Sequence, residues 1–139
     1  MQGCHFIGNQ WCPPADGQTM PVVDPSDGQA FSTIARGGAG DVERAVAAAR
    51  AAIGDTFDGP WGKLTALERG RLLMKLCVAV REHHGELAQI EARDTGKALR
   101  VARNDATALA RYFEYYAGAC DKLHGETIPY EAGYTVLSK

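Results

Sequence analysis

The chain has 139 residues, of which 45% are hydrophobic and 23% charged, a size and composition typical of one soluble domain. Its net charge of −2 provides no basic excess for nucleic acid, and no run approaches the roughly 18 apolar residues of a membrane helix. The opening residues, MQGCHFIGNQW, lack a basic segment followed by an apolar one, so we expect a cytoplasmic protein.

Residues 5–36 are predicted to form short strands joined by turns. The segment HFIGNQW places apolar residues on both sides of Gly8-Asn9, which predicts a hairpin. The segment 24-DPSDG-28 separates the strand-like stretches 22-VV-23 and 31-FSTI-34, and its proline and glycine predict a second turn.

The apolar spacing becomes helical after these strands. It predicts four helices, at about 41–56, 65–84, 86–94 and 98–123. Thr65 and Glu68 form the T-x-x-E pattern of a capping box at the start of the second helix. We predict that the buried stripe of this helix consists of Leu72, Leu76, Ala79 and Val80.

Residues 125–139 return to an extended pattern. ETIPY and YTVLS flank Glu131-Ala132-Gly133, which predicts a hairpin. The pattern runs into Lys139 without a cap or a polar tail, and we interpret it as a chain cut short.

The segment 91-EARDTGKAL-99 interrupts the helical pattern. Gly96 can adopt the left-handed conformation that ends a helix, and Lys97 lies near the terminal carbonyls. Asp94 is unfavourable there, because the end of a helix carries partial negative charge. It therefore needs another partner, and solvent or an ion pair with Arg93 or Arg100 would serve.

No catalytic constellation emerges from the residues alone. Neither GxGxxG nor GxxxxGK[ST] occurs, and HExxH and GxSxG are also absent. The four cysteines are scattered without a CxxC pair, which predicts free thiols and no structural metal: Cys4, Cys12, Cys77 and Cys120. Cys77 reads as a core residue. Tyr112 and Tyr116 are four apart, which favours core packing over a ligand-stacking wall.

Several segments, in order, resemble the N-terminal region of the NAD(P)-dependent aldehyde dehydrogenase superfamily. They are FIGNQW, VVDPSDGQAFSTIARG, DVERAVAAARAAI, PW...ERGRLLMKL, EARDTGK and YYAGACDKLHGETIP. The resemblance implies an α/β enzyme family of which this chain is a mostly helical α+β fragment. It further implies that 1–124 is the N-terminal part of the cofactor-binding domain and 125–139 the start of the oligomerisation hairpin arm.

The resemblance also shows what these residues lack. Family members carry a cysteine nucleophile in a later loop, a glutamate base in an ELGGK-like motif and an asparagine in a PWNFP-like motif; none of these occurs here. We therefore expect a scaffold that is inactive alone. NAD or NADP would bind the full-length enzyme, and no cofactor is expected for the fragment. The expected partners are the rest of the chain or further copies of it, with no nucleic acid and no membrane.

Three secondary roles are implied by the resemblance at matching positions. A monovalent cation, K+ or Na+, would bind the backbone carbonyls of Val22 and Val23 and the carboxylate of Asp94, with solvated or Arg-paired Asp94 as the alternative. Asp105 and Leu109 would line the substrate entrance tunnel. The alternative is that Asp105 is an ordinary exposed acid and Leu109 an ordinary core leucine. Oligomerisation would use strand residues of the arm: Thr127, Ile128, Tyr134 and Val136.

Two further readings stay open from the residues. One is a free-standing, non-catalytic helical module that binds a protein partner. The other is an enzyme that acts through Cys120 and His124, which are four residues apart but have no oxyanion site beside them. The abrupt end inside a strand favours the fragment over the module, and the missing oxyanion site and orienting group disfavour the enzyme.

Overall fold

The computed structural model describes residues 3–138, and its strands form three separate antiparallel hairpins. β1 (His5–Ile7) pairs with β2 (Gln10–Cys12), β3 (Thr19–Val23) with β4 (Ala30–Ala35), and β5 (Thr127–Ile128) with β6 (Val136–Leu137). The first turn uses positive φ at both Gly8 and Asn9, which suits the twist of a two-residue hairpin. All three predicted hairpins are confirmed.

Four helices lie between the second and third hairpins. They are α1 (Ala39–Ile53), α2 (Ala66–Glu82), α3 (His84–Thr95) and α4 (Leu99–Ala119). The capping box at the start of α2 is confirmed, because Thr65 Oγ1 accepts from Glu68 N and the Glu68 carboxylate accepts from Thr65 N. The predicted end of α4 near 123 is wrong, since the helix ends at Ala119 and a turn follows.

The helical core is built from small residues. α4 packs along α2 and α3, and it contributes three alanines at four-residue spacing, Ala102, Ala106 and Ala110, to the buried contact. α2 contributes Gly70 and Cys77, and α3 contributes Ala88. Small side chains let the helix axes approach closely, so the contacts form largely between backbone and Cβ atoms. The prediction of a core position for Cys77 is confirmed.

The loop after α1 folds back onto the end of that helix. The backbone N–H groups of Gly59 and Trp61 donate to Ile53 O and Ala52 O at 2.9 and 2.8 Å. These bonds satisfy carbonyls that have no partner inside the helix. A Cβ atom on Gly59 would lie 2.5 Å from Ala52 O, so only glycine fits this close approach.

Two predictions of burial are wrong for the described residues. The predicted stripe on α2 is largely exposed, with Leu72 and Leu76 at 37% and 47%. The face that meets α4 carries Gly70 and Cys77 instead, because close helix approach selects the smallest side chains. Tyr112 and Tyr116 are also exposed and are not core residues.

No helix in the range 3–138 has the length and hydropathy required to cross a membrane.

Candidate functional site

The corner between α3 and α4 is set by Gly96. This residue adopts φ 73° and ψ 8°, the left-handed conformation predicted for it, and its N–H donates to Ala92 O at 3.0 Å. A Cβ atom here would lie 2.8 Å from Pro25 Cγ in the turn between β3 and β4. That turn is also held by Arg93, which lies 3.6 Å from the Asp24 carboxylate and 4.2 Å from the centre of the Phe31 ring.

Lys97 joins the two helices through ion pairs. Its Nζ donates to Glu91 Oε1 of α3 at 2.5 Å and to Asp105 Oδ2 of α4 at 2.8 Å. Hydrogen bonds from the ammonium first to Asp105 and then to Glu91 raise the pKa of Lys97 above its ordinary value. The sequence suggested a role for Lys97 at the helix terminus, and the structure instead places its ammonium between two carboxylates.

A cleft of about 700 Å³ opens between α3 and α4 beside this ion-pair cluster. Its walls combine three carboxylates with apolar and aromatic side chains: Leu87, Ile90, Glu91, Asp94, Thr95, Asp105, Ala106, Ala108, Leu109 and Tyr112. The structure therefore brings Asp105 and Leu109 together on one wall. A cleft of this size and mixed lining can admit a small organic molecule.

A second cleft of about 460 Å³ adjoins the first on α4. It is lined by Ala108, Arg111, Tyr112, Tyr115 and Tyr116. Tyr115 and Tyr116 meet edge to face with ring centres 5.2 Å apart. The sequence predicted core positions for Tyr112 and Tyr116, whereas both are exposed on the same helix as Asp105.

Asp94 lies in the first cleft and apart from any ion pair in the described part of the chain. Its proposed pairing with Arg93 is wrong, because Arg93 contacts Asp24 instead. The turn that follows Val22 and Val23 lies against the end of α3 through this contact and through Pro25 and Gly96. Within residues 3–138, no group of three or more histidine, cysteine, aspartate or glutamate side chains is arranged to hold a metal ion.

The third hairpin places three of the four predicted arm residues, Thr127, Ile128 and Val136, on its short strands. The prediction of a strand position for Tyr134 is wrong, because β6 begins only at Val136. Thr127 pairs with Leu137 and Ile128 with Val136. The rings of Tyr130 and Tyr134 meet edge to face with centres 6.0 Å apart, and both are exposed. The residue that ends the arm, Lys139, lies outside the described residues.

Within residues 3–138, no hydrogen bond joins a cysteine to a histidine. All four cysteines are free, as predicted. Cys120 Sγ lies 3.1 Å from Tyr116 O in the last turn of α4. His84 Nε2 lies 2.8 Å from Arg103 O and 3.1 Å from Thr107 Oγ1, so it ties α3 to α4.

The sequence analysis missed a buried carboxylate at the start of α1. Asp41 accepts from Gly38 N and Ala15 N at 3.0 Å each and from Arg44 Nη2 at 2.5 Å. These bonds, first from Gly38 and then from Arg44, lower the pKa of Asp41 to about 2. His5 Nε2 lies 3.6 Å away, so the cluster ties the first hairpin to α1. An acid three residues after the N-cap residue, Gly38, was the available signal.

Comparison with known proteins shows where this arrangement belongs. A family model described as the aldehyde dehydrogenase family matches residues 11–139. The mitochondrial aldehyde dehydrogenase family 2 member B4 of Arabidopsis thaliana is 40% identical over 132 residues, which are 94% of this chain and 24% of that protein.

Solved structures give the same result. A protein of Burkholderia cenocepacia, whose assignment as an aldehyde dehydrogenase is itself provisional, is 66% identical with a TM-score of 0.85. The match covers 96% of this chain and 27% of that one. PnpE, determined in complex with nicotinamide adenine dinucleotide, is 40% identical with a TM-score of 0.84, covering 97% and 27%. The chain thus spans about a quarter of the length of these relatives, and it belongs to the aldehyde dehydrogenase family.

Proposed function

We propose that this chain is the N-terminal scaffold of an NAD(P)-dependent aldehyde dehydrogenase and is inactive without the rest of the enzyme. Two observations together support this proposal. The chain spans about a quarter of the length of its relatives, and apolar side chains are exposed on several sides of α2. Leu67, Leu72, Met74, Leu76 and Val78 are all more than a third exposed. Exposed apolar side chains on more than one side of a helix are normally covered by a neighbouring element, so further polypeptide is expected to cover these faces.

The cofactor and the reacting groups are assigned to the rest of the enzyme. The 139 residues carry no glycine-rich phosphate loop and none of the cysteine, glutamate and asparagine motifs of the family. When bound, the nicotinamide accepts hydride from the aldehyde carbon. The share of this chain is to hold the α3–α4 corner rigid and to present the cleft.

Asp105 and Leu109 are proposed to line the approach to the substrate site. Their place on one wall of a 700 Å³ cleft supports this role, as does the aromatic Tyr112 beside them. The bond from Lys97 to Asp105 argues against the alternative interpretation of Asp105 as an ordinary exposed acid. Enlarging Leu109 to tryptophan should raise KM for bulky aldehydes more than for acetaldehyde, and equal effects on both would contradict the role.

A monovalent cation, K+ or Na+, is proposed near the end of β3. The support is that the turn following Val22 and Val23 packs on the end of α3, which carries Asp94 without an ion pair in the described range. Oxygen ligands suit such a hard ion. Equal melting temperatures in sodium, potassium and tetramethylammonium chloride would count against this site. If the melting temperature of the wild type depends on the cation and that of Asp94→Asn does not, the site is supported.

The third hairpin is proposed to begin an arm that binds another subunit of the same enzyme. Its short strands leave backbone groups available to a further strand, and Ile128 and Tyr134 are exposed beside them. Replacing Ile128 with lysine should shift the oligomer toward smaller species in analytical ultracentrifugation. An unchanged sedimentation profile would remove the arm from the interface.

The proposed function is tested by the intact mass and activity of the protein from its native source. We expect a mass several times 14.9 kDa and aldehyde-dependent reduction of NAD or NADP. Replacing Cys120 with serine should leave kcat unchanged, because the nucleophile is assigned to a later loop. A protein of 14.9 kDa that reduces no cofactor would instead favour the free-standing partner-binding module.

A further inference from the structure

The cleft between α3 and α4 has an unusual charge arrangement. Three of its lining residues are acids, Glu91, Asp94 and Asp105. Lys97 is the one basic side chain in the described range that forms an ion pair with any of them, and it pairs with two. Lys97 is not among the lining residues, but its ammonium bonds to two residues that are.

We propose that Lys97 is a specificity-determining residue that weakens the attraction of this cleft for cationic aldehydes. The inference rests on the proposed function, because it takes the cleft as the approach to the substrate site. The single positive charge of Lys97 offsets one of the two negative charges of Glu91 and Asp105, so it reduces the negative potential that an incoming molecule meets. An uncharged aldehyde is little affected, whereas a cationic one loses part of its attraction.

Lys97 also positions the Asp105 side chain, to which its ammonium donates a hydrogen bond. Its side chain is 30% exposed, so water screens the pairs only in part. The pair with Glu91 spans six residues and the pair with Asp105 spans eight, across the Gly96 corner. The two bonds therefore link Asp105 to α3, and loss of the ammonium would leave this carboxylate without its ion pair on the cleft wall.

The size of the effect follows from the single charge of Lys97. At roughly 7 Å from a bound cation and an effective dielectric constant of roughly 20 to 40, one charge changes the affinity for that cation by roughly seven- to fifty-fold before salt screening. Screening by about 0.15 M salt lowers this, so we expect a change of roughly three- to ten-fold. The effect should shrink as the salt concentration rises.

The test uses the full-length enzyme and two aldehydes of the same shape. Betaine aldehyde carries a trimethylammonium group, and tert-butylacetaldehyde carries an uncharged carbon in its place. We use the kcat/KM for betaine aldehyde divided by the kcat/KM for tert-butylacetaldehyde. A general loss of activity lowers both values alike and cancels in this ratio. Lys97→Met should raise the ratio for the cationic aldehyde roughly three- to ten-fold. Lys97→Arg should keep the wild-type ratio.

Two further variants separate charge selectivity from damage to the fold. Lys122→Met removes a lysine that pairs with Asp121 beyond the far end of α4, about 21 Å along the helix from Asp105, and should leave the ratio unchanged. Asp105→Asn should lower the ratio, and in its background Lys97→Met should have a smaller effect, because part of the effect passes through Asp105.

The outcomes distinguish the inference from the function on which it rests. A wild-type enzyme that oxidises no aldehyde would refute both. An active enzyme whose ratio is the same in Lys97→Met and wild type would refute the inference alone. So would a ratio that rises equally in Lys122→Met or that does not depend on salt. If Lys97→Met does not fold, a ratio unchanged in Asp105→Asn overturns the inference.

Discussion

The close packing of α2 on α4 can be tested by adding one carbon atom. A Cβ on Gly70 would lie 2.6 Å from Ala117 O, whereas a comfortable contact needs roughly 3.5 Å, so α4 would have to move by up to roughly 0.9 Å. Such overpacking costs about 1–3 kcal/mol. Alanine regains up to about 1 kcal/mol of helix propensity, so Gly70→Ala should lower the free energy of unfolding by up to about 2 kcal/mol.

The matched control is Gly118→Ala, on α4 next to the contacted carbonyl. No atom lies within 4 Å of the position that its Cβ would occupy, so the same propensity gain should appear without the clash. We expect it to raise the free energy of unfolding by up to about 1 kcal/mol. Urea unfolding followed by circular dichroism measures both variants. If Gly70→Ala proved as stable as Gly118→Ala, the close approach of the two helices would be refuted.

Three further predictions concern single side chains. Thr65→Ala should lower the free energy of unfolding, measured in urea, by about 1 kcal/mol, because it removes the cap of α2. Thr65→Ser keeps the hydroxyl, so equal stability of the two variants would contradict the capping role. Gly96→Ala should cost at least about 1 kcal/mol, through its left-handed φ and the contact with Pro25, and should lower the melting temperature; an unchanged value would show that the corner is flexible. Asp41→Asn should flatten the acid limb of the stability curve. The native pKa of Asp41, about 2, lies below its ordinary 3.8, so its carboxylate stabilises the fold above that ordinary value and loses the effect as pH falls toward 2. A variant that kept the wild-type acid limb would rule this out.

The features that the sequence predicted correctly depend on neighbouring residues. Gly8-Asn9 adopts positive φ values, Thr65 and Glu68 bond reciprocally, and Gly96 ends a helix in the left-handed conformation. Each outcome follows from the chemistry of two to four adjacent residues. Tertiary packing therefore has little power to change these features.

The features that were missed depend on residues far apart in the chain. Apolar periodicity on α2 pointed to its large side chains, Leu72 and Leu76, but the contact with α4 is made by Gly70 and Cys77. A helix that is apolar on several sides gives no periodic signal for the face that meets a given neighbour. Lys97 is similar, because its bonds cross the corner between two helices rather than one turn of a single helix.

The small-residue core also explains how the cleft keeps its shape. α4 contacts α2 and α3 through alanine, glycine and cysteine, so little large side-chain packing fixes the angle between α3 and α4. That angle is held instead by Gly96 against Pro25, by the bonds of His84 and by the two bonds of Lys97. Backbone conformation and ion pairs at the corner, rather than a hydrophobic core, therefore position Asp105 and Leu109. Under the proposed function, substitutions at Gly96 or Lys97 should consequently alter the choice of aldehyde without contact with the reacting atoms.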